Sequence, residues 1–243
     1  MPHQLWFTEL LNHYLGGLVT AMLRLFGMEP QYASAPISNA VAMELLVFAL
    51  LVLFFLIVRA RLSVENPGGS QHIVEMLQDY ISNQASEIIG HDYKRFIPYV
   101  MALGYFILVS NLLGLIPGFE SPTANVVVPL GCALCTFVYY QFHGIRQHGV
   151  HYIKQFLGPV PLLIPLMLLI ELVSHLARIL SLTVRLYANM FAGDMVTLAF
   201  FSLVPILVPV AFLGLHLGVA IIQTFIFVML TMVYLGGAVG EEH

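Results

Sequence analysis

Strongly polar side chains interrupt a long apolar stretch near the carboxyl-terminal end of the chain. Residues 171–194 would otherwise be apolar enough to lie inside a membrane. A charge at the centre of a bilayer costs about 2.5–3.5 kcal/mol on insertion scales, so such groups usually face a bundle interior or a water-filled cavity. Acids, a histidine, arginines and an amide in one such stretch predict a polar path for ions: Glu171, His175, Arg178, Arg185, Asn189 and Asp194.

The spacing of these residues supports one shared face. With a turn of about 100° per residue, all of them except Asp194 fall within roughly 80° on a helical wheel. Asp194 lies off this stripe, so it needs either a bend in the helix or a different neighbour.

A structural alternative stays open for part of the stripe. Glu171 has His175 and Arg178 at helical spacing, and ion pairs of this kind could simply lock one helix onto another. Arg185 differs, because no acid lies within four residues of it. Its guanidinium must find a carboxylate on another helix or another chain.

The composition indicates an integral membrane protein. The chain has 243 residues, of which 59% are hydrophobic and 9% are charged. These values exclude a soluble domain. A net charge of −4, with no dense basic cluster, gives no indication of a nucleic-acid partner.

Hydropathy and periodicity divide the chain into three parts that form one membrane domain. Residues 1–38 form an interfacial segment, and residues 39–158 contain three spans with an amphipathic helix at about 71–89. Residues 159–243 form a helical hairpin whose arms cover about 162–201 and 205–236. The predicted fold is therefore an all-α membrane protein with about five membrane helices, the last two strongly tilted, plus interfacial amphipathic helices. At 1.5 Å per residue the first arm measures about 60 Å against a core of about 30 Å, so it must tilt or break.

The second arm carries its own polar stripe. His216, Gln223 and Tyr234 fall on one face of the helical wheel. Hydrogen bonding that joins the two arms would also explain His216 and Gln223. In the earlier spans, Asn111 near the end of the second and Asn125 near the start of the third are further candidates.

Neither the histidines nor the cysteines predict a metal site. His143, His148 and His151 crowd one loop, but no cysteine or carboxylate stands at a matching spacing. Cys132 and Cys135 form a CxxC without a second pair, which favours small buried side chains. No cofactor is expected.

The basic residues predict the orientation. Arg178 and Arg185 belong to the membrane stretch, and five spans place only Arg24 on one side. The other side carries six basic residues and is therefore cytoplasmic, with the amino terminus outside and the carboxyl terminus inside. The six basic residues on the cytoplasmic side are Arg59, Arg61, Lys94, Arg95, Arg146 and Lys154.

Three stretches resemble the a subunit of F-type ATP synthases. Residues 181–194, SLTVRLYANMFAGD, are similar to the SLxxRLxxNMxAG-acid signature of that family. His216 and residues 223–235 resemble its last-helix pattern, and residues 111–117, NLLGLIP, resemble the end of an earlier span. Within that signature, Tyr187 and Ala188 occupy two positions at which Phe and Gly are commoner in the family.

The resemblance implies a membrane stator subunit that is not itself catalytic. Arg185 would face the ring of c subunits, and the b-subunit peripheral stalk, the rest of the complex and the lipid bilayer would be further partners. Asn189, Asp194, His216 and Gln223 would line a half-channel from the outside, and Glu171 with Tyr234 the cytoplasmic one. Supporting positions would be Arg178, His175, Asn111 and Asn125.

Two other classes of function would leave different patterns in the sequence. A secondary ion-coupled transporter predicts internal repeats and paired broken helices, which the sequence does not display. An intramembrane hydrolase needs a nucleophile with a base, or a motif such as HExxH, and the sequence has neither. A bacterial inner membrane is expected, since no transit-type segment is seen.

Overall fold

The computed structural model describes residues 5–25, 35–63, 68–90, 92–116, 118–149, 164–203 and 207–240. Over these residues the chain is helical, with short 3-10 helices at Tyr93–Arg95 and Pro122–Ala124. The α-helices are α1 (Trp6–Leu25), α2 (Asn39–Ala60), α3 (Gly69–Ile88), α4 (Ile97–Leu113), α5 (Val127–His148), α6 (Ile164–Leu203) and α7 (Leu207–Val239).

The all-α membrane fold predicted from the sequence is confirmed, and each predicted span coincides with a helix. Among the described helices, three are long and apolar enough to cross a membrane: Asn39–Ala60, Ile164–Phe200 and Val210–Val239. Helix α4 is apolar but has only 17 residues. The total of five spans stays a prediction.

Helix α6 is continuous over 40 residues. The sequence predicted that this long helix must either tilt or break to fit a bilayer. Because α6 is unbroken, tilting is the way that remains. A straight helix of about 60 Å fits a core of about 30 Å only by tilting.

Helix α7 lies at the centre of the packing and contacts α3, α4, α5 and α6. One buried cluster joins it to α4 and α5 through Val100, Tyr140 and Met232. A second cluster adds α6 and includes Leu186 and Phe227. Helix α6 has an outer face of exposed apolar side chains, such as those of Leu169, Leu172, Leu176 and Leu180.

A tight turn after α4 is built on two glycines. A Cβ atom on Gly114 would lie 2.6 Å from Cβ of Ser121, so only glycine allows this approach. Gly118 has a φ of +93°, a conformation that L side chains rarely adopt. The turn brings Ser121 and Thr123 back against the end of α4.

The residues considered for a metal site are dispersed. Cys132 is buried, but Cys135 is exposed, so the expected burial of both cysteines is wrong for the second. The His143 ring packs against Phe96 and Tyr139. His148 ends α5, and His151 lies outside the described residues. Across the described ranges, no group of three or more His, Cys, Asp or Glu side chains could hold a metal ion.

Candidate functional site

The hairpin of α6 and α7 carries most of the predicted site residues, arranged in groups along its length. Between the second half of α6 and the first half of α7, Nδ1 of His216 lies 3.8 Å from Oδ1 of Asp194. His216 is 4% exposed, and its Nε2 has no hydrogen-bond partner in the described structure. From its position off the stripe, Asp194 needed either a bend in α6 or a different neighbour. His216 on α7 is that neighbour.

Gly193 makes room for this histidine. A Cβ atom at position 193 would lie 2.8 Å from Cε1 and Nε2 of His216. Real Cβ atoms essentially never approach other atoms this closely. Any side chain here would displace either the imidazole ring or the helix, so glycine allows His216 to pack beside Asp194.

The next group joins the two arms by an amide pair. Nδ2 of Asn189 on α6 donates a 2.8 Å hydrogen bond to Oε1 of Gln223 on α7. The Gln223 side chain is 2% exposed. A buried amide must be hydrogen-bonded to avoid a desolvation cost, and Asn189 supplies the donor.

Asn111 reaches the same part of α7 from α4. Its Nδ2 lies 3.3 Å from both the carbonyl oxygen of Ala220 and Oγ1 of Thr224. Its Oδ1 accepts a 2.6 Å hydrogen bond from Oγ1 of Thr123. Thr123 in turn lies 2.7 Å from the hydroxyl of Ser121. This buried network connects the turn after α4 to the residues that flank Gln223.

Arg185 lies on α6 between the amide pair and the opposite end of the helix. Its Nη2 donates a 3.3 Å hydrogen bond to Oγ of Ser181, and the side chain is partly exposed. It forms no ion pair with any carboxylate in the part of the chain that the structure describes. No carboxylate among the described residues therefore compensates the charge of the Arg185 guanidinium.

The last group lies toward the start of α6. Nε2 of His175 lies 3.6 Å from Oε1 of Glu171, which is the helical pairing considered from the sequence. Helix α5 contributes the hydroxyl of Tyr140, 3.3 Å from Nδ1 of His175, and Nε2 of Gln141, 3.2 Å from Nε2 of His175. An acid, an imidazole and a phenol thus meet at one place.

Arg178 packs differently from Arg185. Its guanidinium carbon lies 5.2 Å from the centroid of the Tyr234 ring, within the range of a cation–π contact. The Tyr234 ring in turn lies 6.0 Å from the ring of Tyr140. Arg178 therefore has an aromatic partner on α7, which suits a structural role.

The positions along α6 separate the two acid–histidine groups. At 1.5 Å per residue, Glu171 and Asp194 are about 35 Å apart on the continuous helix, with Arg185 about 14 Å from Asp194. This arrangement can hold ions or protons at two places and keep them apart by a fixed positive charge.

Asn125 is the one predicted site residue that the structure leaves apart from these groups. It is exposed, and its Oδ1 accepts a 3.2 Å hydrogen bond from the backbone N–H of Val127 at the start of α5. Sequence reasoning in turn missed the partners Tyr140, Gln141, Thr123 and Thr224. Tyr140 and Gln141 lie near the end of an apolar span, Thr123 lies between two spans, and Thr224 lies within one. Such positions are ordinary for these residue types, so no pattern distinguishes them.

The fold and the site define an all-α integral membrane protein with polar groups buried along one long hairpin. The model of the family described as ATP synthase A chain matches residues 41–236. A protein named ATP synthase subunit a from Koribacter versatilis is 58% identical over 244 residues, covering 100% of both chains. One from Solibacter usitatus is 46% identical, over 96% of this chain and 100% of its own. A third, from Geotalea uraniireducens, is 40% identical over 89% of this chain and 94% of its own. The chain therefore belongs to the ATP synthase A chain family.

Proposed function

We propose that the chain is the membrane stator subunit of an F-type ATP synthase. It provides two offset half-channels that carry protons to and from the carboxylates of the c-subunit ring. Proton flow then drives rotation and ATP synthesis. Membership of the ATP synthase A chain family supports the assignment as this subunit. The arrangement of polar groups along α6 supports the presence of two half-channels.

The environment of Arg185 carries this proposal. A guanidinium stays charged at any working pH, and a charge inside the membrane is expensive unless a partner compensates it. Arg185 donates a hydrogen bond to Ser181 and forms no ion pair with a carboxylate among the described residues. A carboxylate that arrives on another subunit is the partner this geometry suits.

The half-channels correspond to the two ends of the hairpin. Asp194, His216, Asn189 and Gln223 form the outer path, with Asn111 behind the amide pair. Glu171 and Tyr234 form the cytoplasmic path, with His175 and Arg178 beside them. Asn125 is assigned only a supporting place at the outer surface.

The fixed charge explains why the two paths do not leak into each other. Arg185 cannot release its proton, so no proton passes directly along α6. Its charge favours the ionised form of a carboxyl group at close range, so a ring carboxyl gives up its proton there. Each proton that crosses yields roughly 2.3 kcal/mol per 100 mV. Because the paths are offset, the ring must turn between them.

The subunit itself catalyses no bond formation in this proposal. Its partners are the c ring, the b-subunit peripheral stalk, the remaining subunits and the lipid bilayer. The distribution of basic residues supports an orientation with the amino terminus outside and the carboxyl terminus in the cytoplasm of a bacterial cell.

ATP-driven proton pumping in vesicles that contain the assembled complex tests the proposal. We expect Arg185→Ala to abolish pumping while the complex still assembles. Arg178→Ala is the matched control, an arginine on the same helix that rests on the Tyr234 ring, and it should only weaken pumping. Normal pumping by an assembled Arg185→Ala complex would show that the polar stripe is structural and that the mechanism is wrong.

A further inference from the structure

His175 is a buried histidine, and both of its ring nitrogens lie against polar side chains. It is 7% exposed, although it lies on a helix with a largely exposed outer face. Its Nδ1 faces the Tyr140 hydroxyl, and its Nε2 faces both the Gln141 amide and the Glu171 carboxylate. The Phe137 ring closes the apolar side at 5.7 Å between centroids. The imidazole is thus enclosed by polar groups at both nitrogens and by an aromatic ring on one side.

The partners determine where the imidazole can hold a proton. An amide NH2 group only donates, so the contact from Gln141 requires an unprotonated Nε2 and leaves the proton on Nδ1. Nδ1–H then donates to the Tyr140 oxygen. The neutral ring thus turns its basic nitrogen, Nε2, toward the Glu171 carboxyl group, 3.6 Å away.

A second protonation state is also accommodated. When Nε2 gains a proton, it faces the Glu171 carboxylate, and Nδ1–H keeps its acceptor in Tyr140. The Gln141 amide needs only to turn over to present its oxygen to the new N–H. Both states of the ring therefore have hydrogen-bond partners, so neither carries the cost of an unpaired buried polar group.

We propose that His175 is a second proton-binding residue of the cytoplasmic path and shares its proton with Glu171. This inference rests on the proposed function. The O–H bond of the Glu171 carboxyl group breaks as an N–H bond forms at Nε2 of His175, and the reverse step returns the proton. Tyr140 and Gln141 are positioning residues that hold the ring in register with Glu171.

The charged groups around the pair support this exchange. Glu171 and Arg178 lie on the same helix as His175, Tyr140 faces it from α5, and Tyr234 lies behind Tyr140 on α7. Glu171 stabilises an imidazolium, whereas Arg178 opposes it. The Arg178 guanidinium is placed over the Tyr234 ring, which offsets part of that repulsion. The charge on His175 therefore depends on the balance between Glu171, which favours it, and Arg178, which opposes it.

The test uses vesicles that contain the whole complex, with passive proton flux measured after removal of the soluble catalytic part. His175→Gln keeps a hydrogen-bonding side chain but cannot bind the proton. We expect it to lower the flux by about tenfold or more and to remove any inflection in the pH dependence of the flux that comes from protonation of the histidine. His143→Gln, a histidine of α5 that bonds the Tyr139 carbonyl oxygen, is the control and should leave both unchanged.

Tyr140→Phe gives a second measurement that does not depend on replacing the histidine. It keeps the ring and removes only the hydroxyl that accepts from Nδ1, so the imidazolium loses a charge-assisted hydrogen bond. The inflection should move to lower pH, while the neighbouring Tyr139→Phe should not move it. If His175→Gln fails to assemble, Tyr140→Phe decides the question.

An unchanged flux and pH profile in assembled His175→Gln, or in Tyr140→Phe where His175→Gln does not assemble, would overturn the inference. That result would leave the proposed function intact as long as Arg185→Ala still abolishes pumping. Normal pumping by Arg185→Ala would instead remove the proposed function on which the inference rests.

Discussion

Asn189 on α6 donates a 2.8 Å hydrogen bond to Gln223 on α7, one helical turn beyond Arg185. This contact joins the two arms of the hairpin at the level where the fixed charge lies. Asn111 reaches the flanking residues of α7 from α4. The position of the amide pair relative to Arg185 is therefore set by three helices.

Removing either amide should impair proton conduction without preventing assembly. Asn189→Leu leaves the buried Gln223 amide without its donor, at a cost of about 1–3 kcal/mol. We expect each of Asn189→Leu and Gln223→Leu to lower passive proton flux by roughly tenfold, taking about 1.4 kcal/mol per factor of ten. In the double variant, the fold loss of flux should be smaller than the product of the two single fold losses, because both substitutions remove the same hydrogen bond.

Gln147→Leu is the control for this pair. Gln147 also uses its amide to join two helices, donating a 3.1 Å hydrogen bond to the carbonyl oxygen of Val239, but at the far end of α7. It should leave proton flux near the native value. Strictly multiplicative effects of Asn189→Leu and Gln223→Leu would show that the two side chains act separately.

Gly193 should be intolerant of even one methyl group. The Cβ of Gly193→Ala would lie 2.8 Å from the His216 ring, so the ring or the helix has to move. Overpacking of this kind costs about 1–3 kcal/mol. We expect ATP-driven pumping to fall about tenfold or more. In a background of His216→Ala, where the ring is absent, Gly193→Ala should add little further loss.

Gly218→Ala provides the comparison on the facing helix, since nothing lies within 4 Å of a Cβ atom there. It should pump like the native complex. Equal losses from Gly193→Ala in the presence and absence of the His216 ring would contradict the steric explanation.

The sequence predicted the polar residues of the hairpin because a charge or amide inside an apolar stretch is conspicuous. Arg185, Asn189 and His216 are costly in a membrane whatever their neighbours, so their presence alone points to a site. The off-stripe position of Asp194 also required a separate neighbour. The structure supplies His216.

The partners on other helices could not be predicted in the same way. Tyr140 ends an apolar span, where an aromatic side chain is ordinary, and Thr123 precedes a helix, where a hydroxyl is ordinary. Helical periodicity describes one element at a time. It carries no information on which turn of α5 faces His175, nor on the turn that brings Thr123 back to Asn111.

The buried network behind Gln223 should contribute to stability. Thr123→Val removes the hydroxyl that donates to Oδ1 of Asn111 at 2.6 Å and keeps the shape of the side chain. A buried acceptor left unpaired costs about 1–3 kcal/mol. We expect a lower Tm of the detergent-solubilised complex, followed by the loss of this subunit. Thr231→Val should change the Tm less, because among the described residues the Thr231 hydroxyl donates to the Phe227 carbonyl of its own helix.

The packing of α3 on the end of α7 depends on Gly236. A Cβ atom at this position would lie 2.6 Å from the carbonyl oxygen of Ile88, and a backbone oxygen cannot turn aside as a flexible side chain can. Gly236→Ala should therefore push α3 away from α7 and destabilise the subunit by about 1–3 kcal/mol. The adjacent Gly237→Ala meets nothing within 4 Å, and alanine favours a helix over glycine by up to about 1 kcal/mol. The amount of subunit retained in the membrane after mild heating should thus fall for the first variant and stay level or rise for the second. The same response from both variants would mean that α3 does not need this close contact.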